Sequence, residues 1–322
     1  MNAEKETTFQ TVLNALLDNN QDFPRRYLPY FSDMDPGSLD SLRNVWARVD
    51  QNRKLLLLDQ LGILAEEDTL VSFDDLARDL LNDPESWVRG HALRLLAEAD
   101  DPNLIPAYID ILHNEKDSTT RAEAATTLGK FVMLGELDEI AESAQHEAEQ
   151  ALLKTVNSEN NADVRRRALE SLGFSSGLEV PTLIESAYLR EDPEWVASAL
   201  LAMGRSADHR WEEEVVGMLM SSEPAVQLAA VQSAGDLGLA SAGPVLLKLL
   251  EDEVDTGVIE AAIWSLSQIG GDDARVYIES VLDQSEDEEQ IEFLEEALEN
   301  LAFTEDLERF DWMSFDRDEE EK

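Results

Sequence analysis

Residues 161–173 read NADVRRRALESLG. Val164, Ala168 and Leu172 lie four apart on one helical stripe, and Gly173 follows where the helix can end. The same stripe returns as Val88/Ala92/Leu96, Thr120/Ala124/Leu128, Trp195/Ala199/Met203, Val226/Ala230/Ala234 and Val258/Ala262/Leu266, with Gly129, Gly204 and Gly235 following three of them. In chain order the leading residues are 32, 44, 31, 31 and 32 positions apart. A period of this size marks helix pairs that cannot bury their apolar faces singly and gain a core by stacking. The predicted fold is all-α: a right-handed α-solenoid of about seven to eight antiparallel helix pairs.

Outward from that stretch, the pattern predicts pairs over 39–49 and 53–65, 71–81 and 84–97, 103–113 and 119–134, then 181–189 and 193–204, 211–220 and 224–237, 244–251 and 256–269, and 273–282 and 288–302. Asp83 is the expected N-cap of its helix, with Pro84 as first helical residue. The spacing of 44 places an insertion within 130–156, where 137–156 reads as one long helix. The last unit keeps Phe293, Ala297 and Leu301 in register. This divides the chain into a capping helix and aromatic connection (1–34), a solenoid (35–303) and an acidic, aromatic tail (304–322). Tyr27, Tyr30 and Phe31 either fold over the first repeat, since solenoid ends need covering, or form a peptide-binding lip.

The charge is the compositional outlier. The chain has 70 acidic and 25 basic residues, a net of −45, and residues 211–322 hold 31 of the acids against 5 bases. Such a surface repels phosphate backbones and anionic lipid, so neither nucleic acid nor membrane is an expected partner; a basic protein or peptide is. There is no cysteine, no secretory pattern at the start and no apolar run of membrane-spanning length. A monomeric cytoplasmic protein is expected.

The unit of about 31 residues, the D-P-x-x-V-R opening (Asp83, Pro84, Val88, Arg89) and the A-L-x-x-L-G ending (Ala168, Leu169, Leu172, Gly173) resemble HEAT-repeat proteins. More narrowly they resemble the short-repeat branch named after phycobilin lyase subunits. Ala262, Ile263, Trp264, Leu266 and Gly270 carry the motif in a third unit, whereas the opening arginine is replaced at Val196, Gln227 and Ile259. The resemblance implies a protein-interaction scaffold, or an accessory subunit of a chromophore lyase; an acidic escort of a basic client is a third reading. Deoxyhypusine hydroxylases share the fold and bind two irons through four His-Glu pairs. Here one such pair exists, His146-Glu147, while His91, His113 and His209 are scattered, so neither metal nor cofactor is expected. No nucleophile elbow or phosphate loop is present, and the chain reads as non-catalytic.

Two binding surfaces are predicted. Projecting each second helix around its buried stripe leaves a strip of Ala197, Ser198 and Leu201, then Leu228, Ala229 and Gln232, then Glu260, Ala261 and Trp264, suited to close approach by a partner helix or peptide unless neighbouring helices bury it. Arg166 and Arg167 form the one basic cluster, able to pair with neighbouring acids or to hold an acidic group. In the tail, Phe310, Trp312, Met313 and Phe315 interleave with acids, as docking peptides do, or fold back on the last repeat.

Overall fold

The computed structural model describes residues 8–252 and 255–320, with side chains for 8–251 and 255–307. After α1 (Phe9–Leu17), eight helix pairs follow one another: α2 (Pro36–Trp46) with α3 (Gln51–Glu67), α4 (Asp74–Leu80) with α5 (Ser86–Leu95), α6 (Ile105–Asn114) with α7 (Ser118–Glu136), and α8 (Glu142–Ser158) with α9 (Ala162–Leu172). Then come α10 (Val180–Tyr188) with α11 (Pro193–Arg205), α12 (Glu212–Met218) with α13 (Pro224–Asp236), α14 (Gly243–Asp252) with α15 (Thr256–Ile269), and α16 (Asp272–Leu282) with α17 (Glu288–Glu320). No strand occurs among the described residues. The fold is all-α, of the α-solenoid kind. The helices gather into two compact units, Met1–Ala168 and Leu169–Lys322, with the division inside α9.

In the first unit the second helix of each pair carries the buried triplet. Val88, Ala92, Leu96, Ala124 and Leu128 are fully buried, each large one contributing about 1.5–3 kcal/mol by leaving water. Arginines tie successive repeats together, Arg89 pairing with Glu115 and Arg121 Nη2 reaching Glu159 at 3.3 Å, and also brace the turn within a pair, Arg121 Nη1 donating to the Glu115 carbonyl at 2.9 Å and Arg165 Nε to the Val156 carbonyl at 2.9 Å. At the start of the chain, Tyr27 and Phe31 are buried and Phe9 meets Phe31 edge to face at 6.0 Å, while Tyr30 is exposed.

Asp83 departs from its expected role. Helix α5 begins at Ser86, beyond Pro84, with Glu85 before it. Buried Asp83 instead accepts the Trp46 indole N–H at 2.6 Å and the Glu85 amide at 2.8 Å, so it joins two repeats rather than capping one helix. The long spacing is also taken up differently from the single helix expected over 137–156. Helix α7 lengthens to Glu136, Asp138 turns through a left-handed φ of 58°, and α8 starts only at Glu142.

In the second unit α11, α13, α15 and α17 stack as neighbours. Gly204 and Gly235 lie inside α11 and α13 without positive φ, so they do not end their helices by a left-handed turn. They let the next helix approach: a β-carbon on Gly235 would meet the Ser265 Cα at 2.8 Å. Buried hydroxyls bridge the same contacts, Ser233 Oγ donating to the Leu200 carbonyl at 2.7 Å and Ser265 Oγ to the Val231 carbonyl at 2.8 Å. Where Gln227 replaces the opening arginine, its Nε2 donates to the Leu219 carbonyl at 3.3 Å and keeps the carbonyl contact without the charge. Among the described side chains of α17 the buried ones are Leu294, Ala297 and Leu301, one position off the expected register at its first member; Leu294 and Leu301 stand two turns apart, and Phe293 is turned out of the core. The α17 backbone is helical to Glu320.

Candidate functional site

The exposed edges of α11, α13, α15 and α17 bound a groove of about 520 Å³. Its apolar surface comes from Leu201 of α11, Ala261 and Trp264 of α15 and Phe293 of α17, α13 adds Gln232 and Asp236, and the polar rim also includes Glu260 and Arg205. The local sequence explains the placement. Val258, Ala262 and Leu266 turn one face of α15 into the core, which leaves Ala261 and Trp264 on the opposite side, half-buried. On the next helix Leu294 takes the core position and Phe293 faces the groove. At the rim, Asp236 keeps contact with solvent along one edge, yet crowding by its neighbours raises its carboxyl above the usual range against the opposing pull of Arg205 and a Gln268 hydrogen bond. The Arg205 guanidinium lies 5.2 Å from the Phe174 ring. A site with two aromatic faces and carboxylates at its edge can hold an apolar anchor flanked by cations.

Of the predicted strip, Leu201, Gln232, Glu260, Ala261 and Trp264 come together in this groove. Leu228 is half-buried outside it. Ala197, Ser198 and Ala229, at 9%, 3% and 3% exposure, are buried. Ser198 Oγ donates to Glu170 at 2.6 Å, which shows the cause at α11: the preceding repeat packs closely enough to cover Ala197 and Ser198. Phe293 was assigned to the core by periodicity, and only its neighbour's burial shows that it belongs to the groove.

Arg166 and Arg167 line a separate groove of about 380 Å³ with Ser118, Thr119, Thr126 and Asp163 in the first unit, and Arg166 pairs with Asp163. The side chains of Phe310, Trp312, Met313 and Phe315 lie outside the described residues. His146 stands on α8 with Nδ1 3.9 Å from Glu149, and among the described residues no three His, Cys, Asp or Glu side chains gather as a metal site. No helix among the described residues is long and apolar enough to cross a membrane.

A larger groove, about 1020 Å³, lies between α3 and α5 and was not anticipated from the sequence. Ile63, Val71 and Leu95 supply its apolar surface above the buried Leu58 and Phe73, with Asp59, Glu66, Asp74, His91, Arg94 and Glu98 around them. Arg94 Nη2 donates to His91 Nδ1 at 2.9 Å, so the neutral ring carries its proton on Nε2, which faces Asp59 at 3.7 Å. Burial first, and Arg94 second, push the His91 pKa below its ordinary value and keep the ring neutral.

A sequence profile described as HEAT repeats matches residues 74–173, 180–267 and 212–300. Solved structures similar to the chain include human deoxyhypusine hydroxylase in complex with glycerol, 15% identical, covering 81% of this chain and 95% of that one at a TM-score of 0.34. An engineered protein is 22% identical over 61% of this chain and 95% of its own, at a TM-score of 0.34. Kap95p, in a structure concerned with the switch loops of RanGDP, is 14% identical over 91% of this chain and 41% of its own, at a TM-score of 0.40. No curated protein matches the chain.

Proposed function

We propose that this chain, which belongs to the HEAT-repeat family, is a non-catalytic scaffold that holds a protein partner in the groove of its second unit. The partner segment presents an apolar anchor to Trp264 and Phe293 and basic side chains to the Asp236 and Glu260 rim. One observation carries this reading: large aromatic side chains from the stacked helices α15 and α17 line one open groove instead of entering the core. Tryptophan in such a setting is the residue type that dominates interface energetics, and the excess of 31 acids over 5 bases from residue 211 onward favours a cationic partner in both encounter and register.

The test is capture of partners by the full chain and by Trp264→Ala, each at low and high salt, with circular dichroism to verify that the variant is folded. A partner held by the parent protein at high salt and lost by the variant supports the groove. Retention of every partner by a folded Trp264→Ala protein overturns it, and loss of all partners at high salt from both proteins assigns binding to bulk charge instead.

A further inference from the structure

The first unit has an amphipathic helix face without a described occupant. On α3, Leu56, Asp59, Ile63 and Glu66 follow one another at three- and four-residue spacing, opposite the buried Leu57, Leu58 and Leu61. Leu56 is 56% and Ile63 47% exposed, although both lie within a folded repeat rather than at a chain end. Across the groove of about 1020 Å³ stand His91 and Leu95 of α5 and, in the turn after that helix, Glu98. Apolar and acidic residues thus alternate along α3, and on the facing wall Leu95 stands between His91 and Glu98. The groove continues toward α7: a neighbouring hollow of about 390 Å³ shares His91 and Arg94 with it and adds Trp87.

The charges of this groove are asymmetric. Its one arginine, Arg94, is committed to Glu123 at 2.8 Å and to the His91 ring. Lys130 reaches Glu98 at 3.2 Å but also Asp100 at 2.9 Å. Among the described residues no arginine or lysine pairs with Asp59, Glu66 or Asp74, so three carboxylates surround an apolar floor without compensating cations.

We infer that this groove is a second docking site, independent of the one around Trp264, and that its occupant is a basic amphipathic segment of a partner protein, with leucine-like anchors between Ile63 and Leu95 and lysine or arginine against Asp59, Glu66 and Asp74. The alternation of apolar and acidic residues demands the complementary alternation in the ligand. A purely apolar segment leaves the carboxylates without partners, and an acidic one meets like charge.

The test uses a fluorescent synthetic peptide of lysine and leucine arranged at helical spacing, titrated by anisotropy against the full chain. Trp264→Ala is the background, so that the second-unit groove does not contribute. Adding Ile63→Ser, or Asp59→Asn with Glu66→Gln, is expected to weaken binding about tenfold or more, the effect of losing an interface anchor. All of these positions are exposed and the variants should keep the parent's circular dichroism. A lysine-serine peptide of equal charge is expected to bind far more weakly. Equal affinity for the two peptides, or indifference to the α3 substitutions, overturns the proposal in favour of non-specific charge attraction. Preference for an acidic amphipathic peptide also overturns it. So does self-association of the chain that Ile63→Ser abolishes, which would make a second copy the occupant. Failure here leaves the Trp264 result unchanged, because that variant is read separately.

Discussion

Ser233 packs against Gly204 so closely that a β-carbon built on the glycine would lie 2.9 Å from the Ser233 Cα, a backbone atom of the next stacked helix. The same serine donates its hydroxyl to the Leu200 carbonyl at 2.7 Å. The spacing of α11 and α13 is therefore set by the absence of one methyl group. Gly204→Ala should force the helices apart and destabilise the protein by about 1–3 kcal/mol, the usual cost of overpacking. The check is the denaturant midpoint, with Gly62→Ala as control: nothing lies within 4 Å of a β-carbon there, and helix propensity favours alanine.

The Arg89–Glu115 pair joins the second and third repeats. Burial opposes the ionised Glu115 carboxylate, but hydrogen bonds from Arg89, from the Asp117 amide and from Ser86 outweigh it and lower its pKa to about 2. Arg89→Ala should cost about 2 kcal/mol at neutral pH by removing a charge-assisted hydrogen bond. A depressed carboxylate pKa contributes stability that is present above the unfolded value of 4.5 and is lost as pH falls toward 2. The gap between parent and variant unfolding curves should narrow over that window, and a gap that stays constant would show that the pair does not act through charge.

Tyr108 is fully buried and its hydroxyl has no hydrogen-bond partner among the described residues. Its pKa is raised, chiefly by burial. Tyr108→Phe removes an unpaired polar group while keeping the ring that packs 6.0 Å from Phe131. Thermal unfolding should show stability unchanged or increased by about 1 kcal/mol. A loss larger than that would reveal a hydroxyl that makes a water-mediated bond.

His91 and His113 both have pKa values lowered from 6.5, in each case first by burial and then by a nearby cation, Arg94 and Lys154 respectively. Asp59 and Glu123 act against this at His91, and Asp110 and Glu159 at His113. The unfolded chain binds these protons more readily than the folded one, so stability should fall as pH drops below 6.5. Urea midpoints at neutral and mildly acidic pH measure it. The His91→Gln, His113→Gln double variant should lose less stability over that interval than the parent, and an identical loss in both would remove the histidines as its cause.

The repeat, the helix pairs and the family were legible in the sequence because the information is local: a stripe every four residues, a proline near a helix start, and a period that returns near 31 residues. The binding surfaces were legible only in part. Projection around a helix axis identifies which residues leave the core, but not how near the next helix stands. Ala197, Ser198 and Ala229 point away from the core stripe and are nevertheless buried, because close approaches such as Gly173 against Ala202 and Gly204 against Ser233 draw the neighbouring helices in. Trp264, half-buried, remains in the groove. The α3 face was obscured for a related reason: its four consecutive leucines, Leu55–Leu58, carry no periodicity of their own, and only packing shows that Leu57 and Leu58 enter the core while Leu55 and Leu56 remain in solvent. Sequence by itself determined the architecture, since each helix encodes its own apolar face. Tertiary structure decided the site, since exposure depends on distances between helices that no single helix encodes.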